Sequence, residues 1–335
     1  MPANRERALA EGQLFLFLFV ACICFSEVAW GETSQNRQSQ PDGPWFTGTL
    51  LSTRGLTLDR GRAVVEPYVY YTRYGGLYND NWRLQSTTVS RTIIQQTYFI
   101  YGVTNRIDVE IAPQWLQNSG EGESISGFGD FPLQLGFQVL RSPADSWLPN
   151  VRIWVQEVFP TGRYNRLGPS QGLGGTGGGS FATTLGIGLQ KAIRLGKDQV
   201  FRYRVNATYG FFSPVTVEGF NTYGGGFGTE GRVEPGSVTT LIVAGEYSLT
   251  RHLVLALDIG FQTINATDFS GTTGVGVSGE PAMVGRGYGN LLTIAPAVEY
   301  NFNQHVGLIA GPWFSLRGRN TTEFFGVVAA LFLYM

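Results

Sequence analysis

A set of charged side chains interrupts segments that are otherwise made of alternating apolar and small polar residues: Glu66, Asp108, Glu110, Asp130, Arg152, Arg202, Arg204, Glu246, Asp258 and Glu299. Charges in such surroundings have two uses. They line a wet passage and act on solutes through their field, or they pair with one another and fill the space as structural bridges. The acids come from the early and late parts of the chain and the arginines from the middle. An acidic wall facing an arginine wall would set a transverse field across a lumen, orienting dipolar solutes and selecting ions. Mutual pairing would close the same lumen, and the sequence leaves both open.

Other reactive chemistry is sparse. His252 and His305 are the two histidines of the chain, and neither has sequence neighbours that complete a catalytic or metal-binding set. Each opens an alternating segment after a short connection, so both read as interface residues, and the chain is not expected to be an enzyme. No cofactor and no metal are expected. The glycines between Gly172 and Gly179 resemble a phosphate-binding loop by glycine count alone, and no lysine follows them. The sequons at Asn206, Asn265 and Asn320 carry no weight in a bacterial chain. Arg317 and Arg319 beside Asn320 read as a solvated turn.

The elements that must carry the charges are strands. Ile107, Val109, Ile111, Pro113 and Trp115 alternate with Asp108, Glu110, Ala112 and Gln114. Phe201, Tyr203, Val205, Ala207, Tyr209 and Phe211 alternate with Arg202, Arg204, Asn206, Thr208 and Gly210. Leu253, Leu255, Leu257, Ile259 and Phe261 alternate with Val254, Ala256, Asp258, Gly260 and Gln262. Successive side chains of a strand point to opposite faces, so each segment has an apolar face and a polar one. Runs of roughly ten residues exceed the ordinary soluble strand and suit a tilted transmembrane strand. With the apolar set turned to lipid, the charges turn inward, since charge facing lipid at membrane depth is costly.

Composition agrees. A charged fraction of 15% is too low for disorder, and no stretch after the N-terminus approaches the ~20 apolar residues of a membrane helix. A net charge of −1 marks no nucleic-acid partner. Arg5 and Arg7, the apolar run Leu14 to Phe25, and Ala29-Trp30-Gly31 read as a signal peptide over residues 1–31, cleaved after Gly31. Cleavage there removes Cys22 and Cys24. Cys22 as a lipidated cysteine is the rival reading, against which the Leu-Phe-Val-Ala lead-in stands. Residues 32–60 are then an N-terminal periplasmic segment, and 61–335 the barrel.

Twelve strands are expected, at about 63–73, 88–101, 107–117, 128–140, 150–160, 178–190, 200–212, 236–249, 252–263, 289–303, 305–316 and 323–335. The connections alternate between short ones and long, glycine-rich ones, as the periplasmic turns and external loops of outer-membrane barrels do. Tyr247 to His252, Tyr300 to His305 and Tyr101 to Arg106 repeat one pattern: an aromatic, a turn, then a basic or imidazole residue. Aromatics near strand ends (Tyr68, Tyr70, Tyr71, Tyr74, Trp313, Phe314, Phe324, Phe325, Tyr334) fit belts at the headgroup level. The alternative of a soluble sandwich lacks cover for its apolar faces. Pro67, Pro113, Pro132, Pro296 and Pro312 fall inside strands, where bulges or strand ends are expected. Inward glycines (Gly136, Gly186, Gly188, Gly260, Gly307, Gly311) favour open space in the lumen.

The order of four motifs resembles a known family: Tyr101-Gly-Val-Thr-Asn-Arg-Ile-Asp-Val-Glu-Ile-Ala-Pro113, Gly127-Phe-Gly-Asp130, Phe159-Pro-Thr-Gly162, and Leu316-Arg-Gly-Arg-Asn320. From Gly61 to Met335 the chain is similar to outer-membrane transporters grouped under the MetA-pathway of phenol degradation. That resemblance implies an outer-membrane barrel passing small hydrophobic or aromatic molecules. The expectation is an all-β antiparallel transmembrane barrel in the bacterial outer membrane. Its partners would be lipid, a small-molecule solute and, during biogenesis, the barrel-assembly machinery. Its function would be passive diffusion through a charge-lined lumen. A structural or surface-interaction barrel with a plugged lumen and working external loops is the alternative.

Overall fold

The alternating segments form strands that close on themselves. The computed structural model describes residues 43–168, 173–196 and 199–335. The expected signal peptide, its expected cleavage site and Cys22 lie outside them. In chain order the strands are β1 (Ala63–Tyr78), β2 (Leu84–Thr104), β3 (Ile107–Ile111), β4 (Gln114–Gly120), β5 (Glu123–Phe128), β6 (Phe131–Leu140), β7 (Asn150–Phe159), β8 (Ala182–Arg194), β9 (Val200–Phe212), β10 (Val215–Glu218), β11 (Glu230–Glu234), β12 (Val238–Ser248), β13 (Leu253–Ile264), β14 (Asp268–Thr272), β15 (Gly289–Asn301), β16 (Val306–Arg319) and β17 (Thr321–Tyr334). Strands β3 and β4 both pair with β2 and are two halves of one wall strand. Strands β5 and β6 are likewise two halves, separated by Gly129 and Asp130. The wall therefore has twelve antiparallel strands, and β1 closes it by pairing with both β2 and β17. Closure leaves no free edge, which a sheet in lipid requires.

The outward face is the apolar set. Leu255, Leu257, Ile259 and Phe261 of β13 are each about two-fifths exposed, while Val254, Ala256 and Asp258 between them are buried. The same alternation runs along β6, β7, β8 and β12. Across the short turns, His252 and His305 open β13 and β16. His252 Nδ1 lies 2.7 Å from the Asn301 carbonyl oxygen, and the His305 ring stacks on Tyr334 at 5.7 Å.

Several expectations are corrected. The connections 74–87 and 117–127 are strand extensions rather than loops: β1 and β2 stay paired out to Tyr78 and Leu84, and β4 turns into β5 at Glu121-Gly122, both at positive φ. The connections 213–235 and 264–288 hold a separate three-stranded sheet of β10, β11 and β14. It has its own small core of Val215, Val217, Tyr223 and Val233. No bulge marks Pro67, Pro132, Pro296 or Pro312. The register shifts fall instead at Tyr74/Gly76, Gly102/Thr104, Gln138/Leu140 and Leu292/Thr293. Pro113 sits in the break between β3 and β4, where no ladder donor is needed.

Candidate functional site: the barrel interior

All the charged residues singled out in the wall are buried: Glu66, Asp108, Glu110, Arg152, Arg202, Arg204, Glu246, Asp258 and Glu299 are each at most 2% exposed. They occupy the face opposite the lipid-facing side chains, because strand alternation allows no third direction. They do not form opposed acid and arginine walls. Glu246 is the ladder partner of Arg202, and the two side chains form a two-pronged ion pair. Arg204 approaches the same carboxylate at 3.5 Å. Asp108 accepts from Arg152 and from Arg54, each at 2.7 Å. Each of the two clusters holds two arginines and one carboxylate, so the wall arginines are drawn into local ion pairs rather than into a wall of their own.

Much of the remaining charge holds a segment that the sequence placed in the periplasm. Residues 43–58 run inside the barrel, nearly all of them buried. The segment has no strand partner, so side chains of the wall satisfy its backbone. Glu299 accepts from the Thr47 and Gly48 N–H groups at 2.6 and 3.3 Å. Asp258 accepts from Leu50, Leu51 and Ser52 at 3.0, 3.3 and 3.0 Å. Gln190 accepts from Gly55 at 2.9 Å, Gln138 from Thr57 at 2.7 Å, and Asp108 from Leu58 at 3.1 Å. In return Arg204 and Asn206 donate to the Ser52 and Thr53 carbonyls at 3.1 and 3.2 Å. Irregular backbone at membrane depth is tolerated where protein or water meets its polar groups, and these contacts do so. The segment enters beside the β12–β13 turn, where the Trp45 N–H donates to the Arg251 carbonyl. It leaves beside the β2–β3 turn, where the Arg60 N–H donates to Asn105 Oδ1 at 3.0 Å, and Asp59 pairs with Arg141 of the β6–β7 connection at 2.9 Å. It therefore crosses the barrel at its short-turn end.

The inward glycines are fitted to these neighbours rather than leaving space. A Cβ on Gly136 would run into Arg152 and Asp108, one on Gly186 into the Trp154 ring, and one on Gly307 into Thr47 of the crossing segment.

The interior also has a division that sequence reading missed. Tyr68, Tyr70, Tyr74, Trp313, Phe324 and Tyr334, expected in the headgroup belts, are buried inside. With Ile309, Val328 and Ala295 they make one apolar cluster along β15, β16, β17, β1 and β2. Tyr68 stacks on Tyr70 at 5.6 Å and meets Tyr98 edge-on at 5.3 Å. The facing half is polar: Glu110, Gln134, Gln156 and Thr184 are successive ladder partners across β3, β6, β7 and β8. Both amide atoms of Gln134 and of Gln156 are buried without a hydrogen-bond partner. Buried amides demand partners, so these two suit water or a solute. The available signal was that β1 and β17 carry apolar residues on both faces.

Asp130 stands apart from the lumen, at the external rim. It accepts from the Gly162 and Gly178 N–H groups at 2.8 and 2.7 Å, tying the glycine-rich connection to the strand end. Tyr223 of the external sheet donates to the Gly178 carbonyl at 2.8 Å. The connection is thus clamped from both sides.

A closed barrel of twelve strands with a lipid-facing apolar coat and a partly filled interior, half apolar and half polar, has the fold of outer-membrane barrels. The COG4313 outer membrane channel from Pseudomonas putida F1 has a similar structure. The TM-score is 0.62 at 16% identity, over 84% of this chain and 97% of that one. Lower-scoring likenesses are the β domain of the Bordetella autotransporter BrkA (TM-score 0.45, 9% identity, 81% of this chain and all of that one) and the NanC porin (TM-score 0.40, 8% identity, 81% and all). The fold assignment rests on the first. No protein-family model matches the chain, and no curated protein matches it.

Proposed function

We propose that this barrel is a channel of the bacterial outer membrane for small solutes, with residues 43–58 as its restricting element. The observation that carries this reading is the chemistry of that element's attachment. The segment is held by side-chain acceptors rather than by a strand ladder, so it can yield without opening the wall. The solutes would be small hydrophobic or aromatic molecules, for which the tyrosine-rich half offers a surface and the glutamine row offers polar partners. The motif resemblance to transporters of the MetA-pathway of phenol degradation points the same way. The charged residues of the wall act first on the crossing segment and, through it, on the passage they line. Membrane lipid and, during biogenesis, the barrel-assembly machinery would be its partners.

The test is planar-bilayer conductance of protein beginning at Glu32, with and without residues 43–58, after a heat-dependent gel shift has verified closure in both. The intact protein should give small or intermittent steps, and the deletion larger and steadier ones. Two closed barrels without conductance would overturn the channel reading. They would favour a structural or surface-interaction barrel, which the ordered sheet of β10, β11 and β14 over the external end would then serve.

A further inference from the structure

The outward side of β1 and β2 carries two arginines set directly against each other. Arg73 and Arg91 are ladder partners, and both side chains are exposed. Such partners hold their Cβ atoms about 4.5–5.5 Å apart, and like charges so placed repel. No acid offsets them: among the described residues neither arginine has an ion pair. Glu323, two positions beyond Phe325 on β17, shares their face and pairs with neither. Between the arginines and Tyr101 at the short-turn end, this face of both strands carries no other charge.

Their height on the barrel follows from β2. At ~3.3 Å per residue the strand runs about 33 Å from Tyr101 to Arg91. A tilt of about 40° turns that into a rise of about 25 Å, the height of the apolar band of an outer-membrane barrel. The pair therefore stands at the outer edge of the bilayer, where an outward arginine costs little, against a heavy cost at the midplane. Aromatic rings mark the same level. Phe325 is the partner of Arg73 on β17 and stacks on Phe314 of β16 at 6.0 Å. On the other side Ser119 of β4 is the partner of Arg91, and its hydroxyl donates to that of Ser124 on β5 at 3.1 Å. The register shifts between Tyr74 and Gly76 on both sides of β1, and such a bulge re-aims its neighbours. The Arg73 guanidinium lies over the extra residue, Gly75, where a Cβ would meet Nη1 at 3.0 Å.

We propose that Arg73 and Arg91 clamp a phosphate of lipopolysaccharide, the phosphorylated glycolipid of the outer leaflet. A phosphate between the two guanidiniums removes their repulsion and accepts the paired N–H bonds that an arginine fork offers. The Ser119 and Ser124 hydroxyls lie beside it to meet the sugar. The acyl chains fall along the uncharged rows beneath, beginning with Tyr71 and Val327. A free phosphate ion has the charge but not the chains, so the apolar wall adds nothing to its binding. Such a clamp is independent of what the channel passes.

The test titrates the purified, closed barrel in detergent with fluorescently labelled lipid A, the phosphorylated anchor of that glycolipid, and with the same lipid stripped of its phosphates. Wild type should bind the phosphorylated lipid about tenfold more tightly, as a charge-assisted hydrogen bond provides. Arg73→Gln with Arg91→Gln should abolish that preference while the heat-dependent gel shift is retained. Should the double variant fail to close, each single substitution replaces it, and each should weaken the preference. Equal binding of the two lipids by wild type overturns the clamp, whatever the variants do. A preference that survives the substitutions in a closed barrel overturns it too, because the phosphate then sits elsewhere. Inorganic phosphate in large excess should displace little of the lipid A. Full displacement would make this a site for the free ion and overturn the lipid assignment.

Discussion

Asp130 links the barrel rim to the glycine-rich connection through two accepted N–H bonds. Burial pushes its carboxyl up to about 6, against the backbone donors that pull it down. The docked connection therefore holds a proton more tightly than the free one does. Asp130's contribution to docking is complete below its ordinary pKa and is lost as pH rises through about 6. Limited proteolysis within 161–178 should accordingly be slower at about pH 5 than at about pH 7.5. Asp130→Asn should erase the difference, and a difference that survives the substitution would show that another group is responsible. At this scale the sequence revealed direction but not partners. Alternation decides that Arg202 and Glu246 point inward, while only the β9–β12 register decides that they pair. The tyrosines of β1 misled for a related reason. A ring with a polar tip suits a membrane interface and an amphipathic interior equally, and period two cannot choose when both faces are apolar.

Among the elements, the crossing segment was illegible. Residues 43–58 have no apolar period, and the wall side chains that accept their backbone N–H groups lie 50 or more residues away. The strands were legible because each carries its own two-faced pattern. Their true lengths were not, since the start of β2 and most of β5 are exposed on both faces and carry no two-faced pattern to read. The fit between segment and wall is close at Gly307, where a Cβ would meet Thr47. Gly307→Leu should overpack that contact and cost the docked segment about 1–3 kcal/mol. The expected result is longer and larger open states in single-channel records, with the heat-dependent gel shift retained. Unaltered records would mean that this end of the segment does not restrict the passage.

For the molecule as a whole, the number of strands and their antiparallel order could be read in advance, because closure and membrane thickness leave little freedom, whereas the expected alternation of short and long connections holds only in part, since 74–87 and 117–127 are mostly paired strand. The division of the interior into an apolar and a polar half could not, because it depends on which strands become neighbours around the circle. The inside-outside assignment is open to a direct check with single-tryptophan variants in brominated lipid. Trp115, 38% exposed, should be quenched, and Trp154, 4% exposed, should be spared. Equal quenching would invert or blur the assignment.

The attachment of the crossing segment also constrains how the molecule comes into being. Thr47 bonds to Glu299, 252 positions later in the chain, and Leu50 to Asp258, 208 positions later. Those acceptors take their places only when β13 and β15 join the wall, so contacts of such separation form late. The segment is therefore made before the strands that hold it and waits for them, while the wall itself closes through the still longer-range pairing of Val64 with Tyr334.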